Sequence, residues 1–211
     1  MCIRDRYIDK VLTEADVHEL YVEGDIKRLY LGSVGFFNKG TYGYPALDLT
    51  PEQIAAVDED TATDYWYSKL SYYVEHKYAL GMYKDDYIVN IALGFIENDE
   101  WHLCNTLIAP DKDGTRAFMR DPEYHNVRGR TEKELGATIA YTYVDIGSPI
   151  NDSLVAYRNH FGPIEECNVK NYNTLEHIGQ VTQNYDTGGQ DWPGVKSTYS
   201  ETYEKYKMEY Y

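Results

Sequence analysis

Apolar and polar positions along this chain change period once, near residue 77. Before that point the spacing is helical. Thr13 with Asp16 three residues later makes a capping box, and Val17, Leu20 and Tyr21 follow at helical spacing. This predicts a short helix that Gly24 ends, then a further turn or two over residues 25–31. Gly32 to Gly40, with Gly43 and Pro45 beyond, predicts a loop. Thr50, Pro51 and Gln53 stand at the cap, first-turn and capping-box positions of another helix. From about Thr63 to His76, Trp66, Leu70, Tyr73 and Val74 share one face, a predicted core stripe, with Asp64, Lys69, Ser71 and Glu75 elsewhere.

Past Lys77 the pattern becomes extended. Residues 78–83, 87–96 and 100–109 are rich in apolar, β-branched and aromatic side chains, separated by Lys84-Asp85-Asp86 and Glu97-Asn98-Asp99. Connections this short predict an antiparallel meander. Residues 138–144 alternate and predict a fourth strand, introduced by a helix over residues 132–135 that Gly136 stops. A helix between two strands implies a crossover, which allows this strand to lie parallel to its neighbour. Residues 151–160 predict a helix burying Leu154, Val155 and Tyr157 and ending at Gly162-Pro163; residues 164–169 predict a last strand. From Asn171 the chain turns polar, and residues 188–194 read as a linker. Tyr199, Tyr203, Tyr206 and Tyr210 fall at i, i+4, i+7 and i+11, one face of a C-terminal helix that either docks on its own domain or contacts a protein partner or second copy.

The whole is an α+β (mixed α/β) pattern: a mostly antiparallel sheet flanked by helices over residues 7–170, with residues 171–211 as linker and helical tail. At 211 residues such a domain needs no disulfide or metal to fold. Cys2, Cys104 and Cys167 are odd in number and far apart, with no zinc-site spacing, so the expectation is no metal and a reduced, cytoplasmic setting. Residues 1–6, Met-Cys-Ile-Arg-Asp-Arg, resemble translated sequencing-adapter read-through of the kind found in metagenomic gene predictions, and are expected to be a leader outside the fold. No apolar run approaches the ~20 residues of a membrane span.

A net charge of −15 repels phosphate backbones, so nucleic acid is not expected as a partner. Residues 112–133 depart from this balance with six basic and four acidic residues. That segment is either a solvated helix face or the part of the surface most hospitable to a polyanion.

Helices first, then meander, crossover helix, strand, helix and last strand: over residues 8–169 this order resembles the GNAT (Gcn5-related N-acetyltransferase) superfamily, some viral members included. The resemblance implies a splayed sheet and an acetyl-CoA co-substrate. The strand ahead of the main helix would pair its backbone, at Leu107 and Ile108, with the pantetheine arm. The family's phosphate loop, Gln/Arg-x-x-Gly-x-Gly/Ala, is matched by Asp111-Lys112-Asp113-Gly114-Thr115-Arg116, with Asp111 in place of Gln/Arg and Arg116 in place of the small last residue. Asp113, Gly114, Thr115 and Arg116 are the implied diphosphate contacts. A second register places Gly129 of residues 122–131 as the loop glycine, and a third reading makes residues 110–114 a plain hairpin turn with another strand over residues 115–120. Downstream, Asn151, Leu154 and Gly162 keep the spacing of the family's Asn-x-x-Ala and Gly-Phe; Asn151 is an implied co-substrate contact. The position of the family's general-acid Tyr falls on Arg158, with Tyr157 one residue earlier.

Acetyl transfer to an amine needs a base for the amine proton, donors for an oxyanion and an acid for the departing thiolate. Candidate bases near the meander are Glu97, Glu100 and His102, the last because imidazole titrates near pH 6.5; the implied acid is Tyr157. The expectation is thus an acetyl-CoA-dependent N-acetyltransferase-like protein acting on an amine of unknown identity. The alternative is a non-catalytic module of the same fold, binding a partner or a virion through the tyrosine face.

Overall fold

Two tight turns set the middle of the sheet. Lys84 pairs with Tyr87 across Asp85-Asp86, and Glu97 with Glu100 across Asn98-Asp99. All four turn residues have positive φ, from 50 to 63°. Two successive left-handed residues make the turn whose twist matches that of the flanking strands, and Asn and Asp tolerate the conformation best after glycine. The predicted meander therefore forms.

A computed structural model describes residues 6–33, 59–145, 176–186 and 198–209. The strands are β1 Tyr7–Val11, β2 Tyr78–Lys84, β3 Tyr87–Glu97, β4 Glu100–Ile108, β5 Ile139–Asp145, β6 Glu176–Asp186 and β7 Thr198–Glu209, in one sheet of order β1-β2-β3-β4-β5-β7-β6. The helices are α1 Glu14–Val22, α2 Asp25–Ser33, α3 Glu59–His76 and α4 Pro122–Glu134. Every ladder is antiparallel except β4 with β5, which α4 joins as a crossover.

Neighbouring residues of β3 show that the sheet is covered on both faces. Ile88, Ile91 and Leu93 pack with Leu12, Val17, Leu29, Trp66 and Leu70 from the α1–α3 side. Val89 packs instead with Met82, Ile108, Phe118, Tyr124 and Val127 on the α4 side. The capping box at the start of α1 is present: the Asp16 N–H donates to Thr13 Oγ1, and the Thr13 N–H donates to Asp16 Oδ2 at 2.8 Å.

Four expectations need correction. Residues 198–209 form a strand, not a helix: Tyr and Thr favour extended backbone, and ladders to β5 on one side and β6 on the other satisfy their amides, which outweighs the i, i+4, i+7 spacing of the tyrosines. Tyr210 lies outside the described residues. The polar residues 176–186, read as non-regular, are the edge strand β6. β1 was not expected, being a five-residue edge strand with only Tyr7 fully buried. Lys69, assigned to a polar face, is fully buried, its ammonium 5.4 Å from the Trp66 ring centre. The predicted helices near residues 50 and 151–160 and the strand at 164–169 lie outside the described residues.

α4 is held to the sheet by charge as well as by apolar packing. Arg128 Nε donates to Asp9 Oδ2 at 2.6 Å, and its Nη2 donates to Asp9 Oδ1 at 3.1 Å and to Asn90 Oδ1 at 2.9 Å. The Asp9 side chain has no exposed surface. Glu132, one turn further along α4, is buried as well. Of these two buried carboxylates, Asp9 holds the bidentate geometry with the guanidinium. Burial, reinforced by Asp9 and only partly offset by Arg128, pushes the Glu132 carboxyl up to about 8. Between pH 4.5 and 8 the folded chain then keeps a proton that the unfolded chain gives up, so stability falls as pH rises through this window. Glu132→Gln, which keeps the shape without the ionisation, is expected to flatten that slope. It should raise stability at pH 8 by more than about 1 kcal/mol in urea unfolding. An unchanged slope would show that Glu132 ionises normally in the folded chain.

Candidate functional site

β4 carries one residue more than the strand beside it. Leu93 of β3 stands opposite Asn105 and Gly94 opposite Leu103, so Cys104 has no counterpart and forms a β-bulge. Gly94 makes the bulge possible. A Cβ there would lie 2.5 Å from the His102 carbonyl oxygen and 2.6 Å from the Trp101 ring, closer than real Cβ atoms approach. The bulge also exchanges the faces of β4. Trp101 and Leu103 pack with Ala92, Leu135 and Ala137 near the end of α4, whereas beyond the bulge Leu107 packs towards α1–α3 and Ile108 towards α4.

On its other edge β4 meets β5 in parallel, but only from Glu100↔Ile139 to Leu103↔Thr142. Beyond Cys104 no ladder joins the two strands among the described residues, while β5 stays paired with β7 as far as Asp145. The parallel pair therefore parts at the bulge, and a gap opens between residues 104–108 and 143–145.

Glu100 and His102 stand just ahead of this gap on the α1–α3 face of β4, two residues apart and so on the same side of the strand. His102 Nε2 lies 3.3 Å from Glu100 Oε2, and the imidazole stacks on Phe95 at 4.9 Å and 11°. His102 is 9 % exposed. A carboxylate against one ring nitrogen fixes the orientation of the imidazole. Two of the three candidate bases are thus brought together. Glu97, at the β3–β4 turn, is exposed and has no part in this contact.

The far end of the gap is closed by the protein itself. The Ala109 N–H is spent on Val89 of β3, so the Ile108 amide and carbonyl point the opposite way, towards the open edge. There Ser33 of α2 meets both: the Ile108 N–H donates to Ser33 Oγ at 2.9 Å, and the hydroxyl proton lies between the carbonyls of Leu29 at 2.8 Å and Ile108 at 3.1 Å. Gly32 allows this approach, since a Cβ would fall 2.9 Å from Ala109 Cα. Leu107 and Ile108 have core side chains, and the outward backbone groups of Ile108 are engaged by α2.

The loop after β4 folds around Asp111. Its Oδ1 accepts the N–H groups of Asp113 at 2.9 Å and Thr115 at 3.2 Å, and its Oδ2 accepts Lys84 Nζ at 2.5 Å. The Gly114 N–H donates to the Asp111 carbonyl and the Ala117 N–H to Thr115 Oγ1. Gly114 has φ 74°, the left-handed position that closes this turn. The Arg116 guanidinium donates to the Gly32 carbonyl. Burial alone would push the Asp111 carboxyl up, but the bonds from Lys84, Thr115 and Asp113 hold it below the usual carboxylate range. Its side chain is 2 % exposed, that of Lys84 6 %.

Residues 117–120 form a 3-10 turn, not the strand of the hairpin reading, and a new helix starts at Pro122 with Asp121 accepting the Glu123 N–H. Proline at the first position and an aspartate cap fix that start. Gly129 is therefore buried inside α4 and belongs to no loop, which removes the second phosphate-loop register. Asn151 and Tyr157 lie outside the described residues. Sequence reasoning missed Gly94, Ser33 and Lys84. For Lys84 the available signal was a lone cation at the end of an otherwise apolar strand; nothing local marks the other two.

Among the described residues no group of His, Cys, Asp or Glu is arranged to hold a metal, and no helix is long and apolar enough to cross a membrane. The mostly antiparallel sheet, the single parallel pair that parts at a bulge and the crossover helix between them together make the fold of the GNAT acetyltransferases. No family model and no curated protein matches the sequence. Among solved structures, AAC(6')-Ib in complex with ribostamycin and coenzyme A superposes at a TM-score of 0.53 and 11% identity, covering 97% of this chain and 94% of that one. An N-acetyltransferase from Staphylococcus aureus Mu50 gives 0.46 at 10% identity (96% and 98% covered). The PaiA N-acetyltransferase from Thermoplasma acidophilum, in complex with coenzyme A, gives 0.43 at 13% (97% and 99%). The first of these carries the likeness, which is one of fold.

Gly94→Ala is expected to destabilise the chain by at least about 1–3 kcal/mol in urea unfolding, because the carbonyl and ring it would strike belong to the bulge itself. A neutral substitution would mean that the bulge relaxes at no cost.

Proposed function

We propose that this chain is an N-acyltransferase whose donor is an acyl thioester of the acetyl-CoA type and whose acceptor is an amine. The observation that carries this reading is the parting of β4 and β5 at the Cys104 bulge, beside a histidine and carboxylate in contact. An extended amide-bearing arm can pair with a strand edge as a further strand does, and residues 104–107 ahead of the Ser33 contact supply such an edge. The gap thus fits a pantetheine arm. The loop of residues 111–116 fits a diphosphate badly, because the amides that would face it are already bonded to the Asp111 carboxylate.

A bound thioester would bring an activated acyl group to the bulge. The chain's own part is proton handling and positioning. His102 takes the proton that an attacking amine must lose, and Glu100 holds the resulting imidazolium by a charge-assisted contact. Phe95 fixes the ring plane by stacking. Tyr157 and Asn151 remain candidates for the acid and for a co-substrate contact on the grounds of their sequence positions. Asp113, Gly114, Thr115 and Arg116 keep only that sequence-based claim. The domain division at residue 170 likewise rests on the sequence.

A second reading, a non-catalytic binding module, is favoured by the internal engagement of both Ile108 and the loop amides. The tyrosine helix proposed as its contact is replaced by β7, so this reading has no assigned surface.

Titration calorimetry with acetyl-CoA separates these readings from a chain with no thioester site. Binding is expected, and none at about millimolar ligand with a folded sample would overturn the proposal. His102→Asn is expected to leave that affinity unchanged and lower kcat/KM about 10²–10⁴-fold with an accepted amine. Unchanged turnover would remove His102 as the base.

A further inference from the structure

We propose that the Asp111 carboxylate is a permanent internal anion in the loop after β4, so that this chain reads an acyl thioester by its pantetheine arm and gains no affinity from the nucleotide diphosphate. The inference deepens the proposed function and rests on the β4–β5 gap accepting a thioester.

Backbone amides converging on one point make an anion site. Here they converge on a side chain of their own loop. Asp111 Oδ1 takes the amides of Asp113 and Thr115, the Gly114 amide turns back to the Asp111 carbonyl, and Thr115 Oγ1 takes the amide of Ala117. Lys84, the one cation pointed at this loop from β2, is paired with Asp111 Oδ2. The carboxylate is almost fully buried, so solvent does not compete for these bonds.

The neighbouring cations are committed too. Arg116 reaches the Gly32 carbonyl and Lys112 Nζ the Asp85 carbonyl at 2.9 Å. Nor does the next helix offer an alternative. Its first residue is Pro122, which has no N–H, and Asp121 already accepts the Glu123 amide. An incoming diphosphate would meet two carboxylates, Asp111 and Asp121, at the two places where the chain converges amide donors.

Such a loop separates donors by what lies beyond the pantetheine. A loop with open amides makes the diphosphate worth tightening for. Here coenzyme A and a bare acyl-pantetheine should look alike to the chain, which places the selection of donor on the acyl group and arm. Asp111 is then a specificity-determining residue, acting by occupying donors and not by touching substrate.

The test uses the full chain in calorimetric titrations with S-acetyl-pantetheine, acetyl-CoA and inorganic pyrophosphate. For the unaltered protein the two thioesters are expected to bind within about fivefold of each other, with no pyrophosphate binding up to about 10 mM. Acetyl-CoA binding more than about fivefold tighter than S-acetyl-pantetheine, or pyrophosphate competing with it, would overturn the inference without any mutant. Asp111→Ala releases two amides and leaves Lys84 facing them. It should acquire pyrophosphate binding and favour acetyl-CoA over S-acetyl-pantetheine by about tenfold or more.

Loss of the buried pair could unfold that variant, so Asp111→Ala combined with Lys84→Met, which opens the amides without orphaning a charge, is the second construction, checked by circular dichroism. If either folded variant fails to gain pyrophosphate, the carboxylate is not what excludes it and the inference falls. If neither thioester binds the unaltered protein while a variant gains pyrophosphate, the acyltransferase reading fails and the internal anion stands.

Discussion

One extra residue in β4 organises this molecule. Cys104 has no partner on β3, and the consequence is felt on both edges of the strand and on both of its faces. Up to Leu103 the strand is paired on both sides, as the centre of a sheet must be. Past Cys104 it keeps β3 and parts from β5. A flat sheet could not end a parallel ladder in mid-strand without wasting amides; a bulge can, because it bends the strand and raises its local twist. The same step passes the inward role from Trp101 and Leu103 to Ile108, so that α4 packs against one parity at its end and the other at its start. Gly94 is the condition for all of it, since any side chain there meets the bulged strand's own backbone.

Two buried ion pairs then fix what surrounds the gap. Arg128–Asp9 ties α4 to β1 and, through Asn90, to β3; Lys84–Asp111 ties the loop after β4 to the end of β2. Such pairs are costly to desolvate and give little net stability, but the loss of one partner costs about 3–5 kcal/mol. Their effect is on geometry. Each carboxylate is satisfied from several directions, which leaves one arrangement for the helix and one for the loop. The difference between them is what the carboxylate displaces. Asp9 takes the paired geometry with Arg128, and burial pushes the Glu132 carboxyl beside them up to about 8. Asp111 takes amides that a loop of this kind would otherwise present outward.

The meander was legible in the sequence because its signals are local: two turn pairs of Asp or Asn that accept positive φ, and apolar runs of strand length between them. The capping box of α1 and the Asp121-Pro122 start of α4 are equally short-range. The crossover followed from element order. What sequence concealed depends on distance along the chain or on the opposite strand. The bulge is written in Gly94, ten residues before Cys104, and has no signature in β4 itself. Asp9 and Arg128 are 119 residues apart, Lys84 and Asp111 27. β6 and β7 failed for another reason. Twelve residues with tyrosines at helical spacing and a high content of Tyr and Thr satisfy two periods at once, and the strand wins when partners on both sides supply ladders.

The basic segment shows how far a charge count can lead. Residues 112–133 carry a local excess in a chain of net −15, which suggests a field for an anionic ligand. In the fold Arg128 is spent on Asp9, Arg116 on the Gly32 carbonyl and Lys112 on the Asp85 carbonyl. These cations hold the loop, α2 and α4 in place. Arg128 and Asp9 form an ion pair whose field falls off as that of a dipole, whereas Arg116 and Lys112 keep their charge but spend donors on carbonyls of the protein itself. In the proposed function, affinity for an acyl donor rests on shape and backbone pairing at the gap. For that proposal the bulge, more than the basic segment, is the feature on which recognition turns.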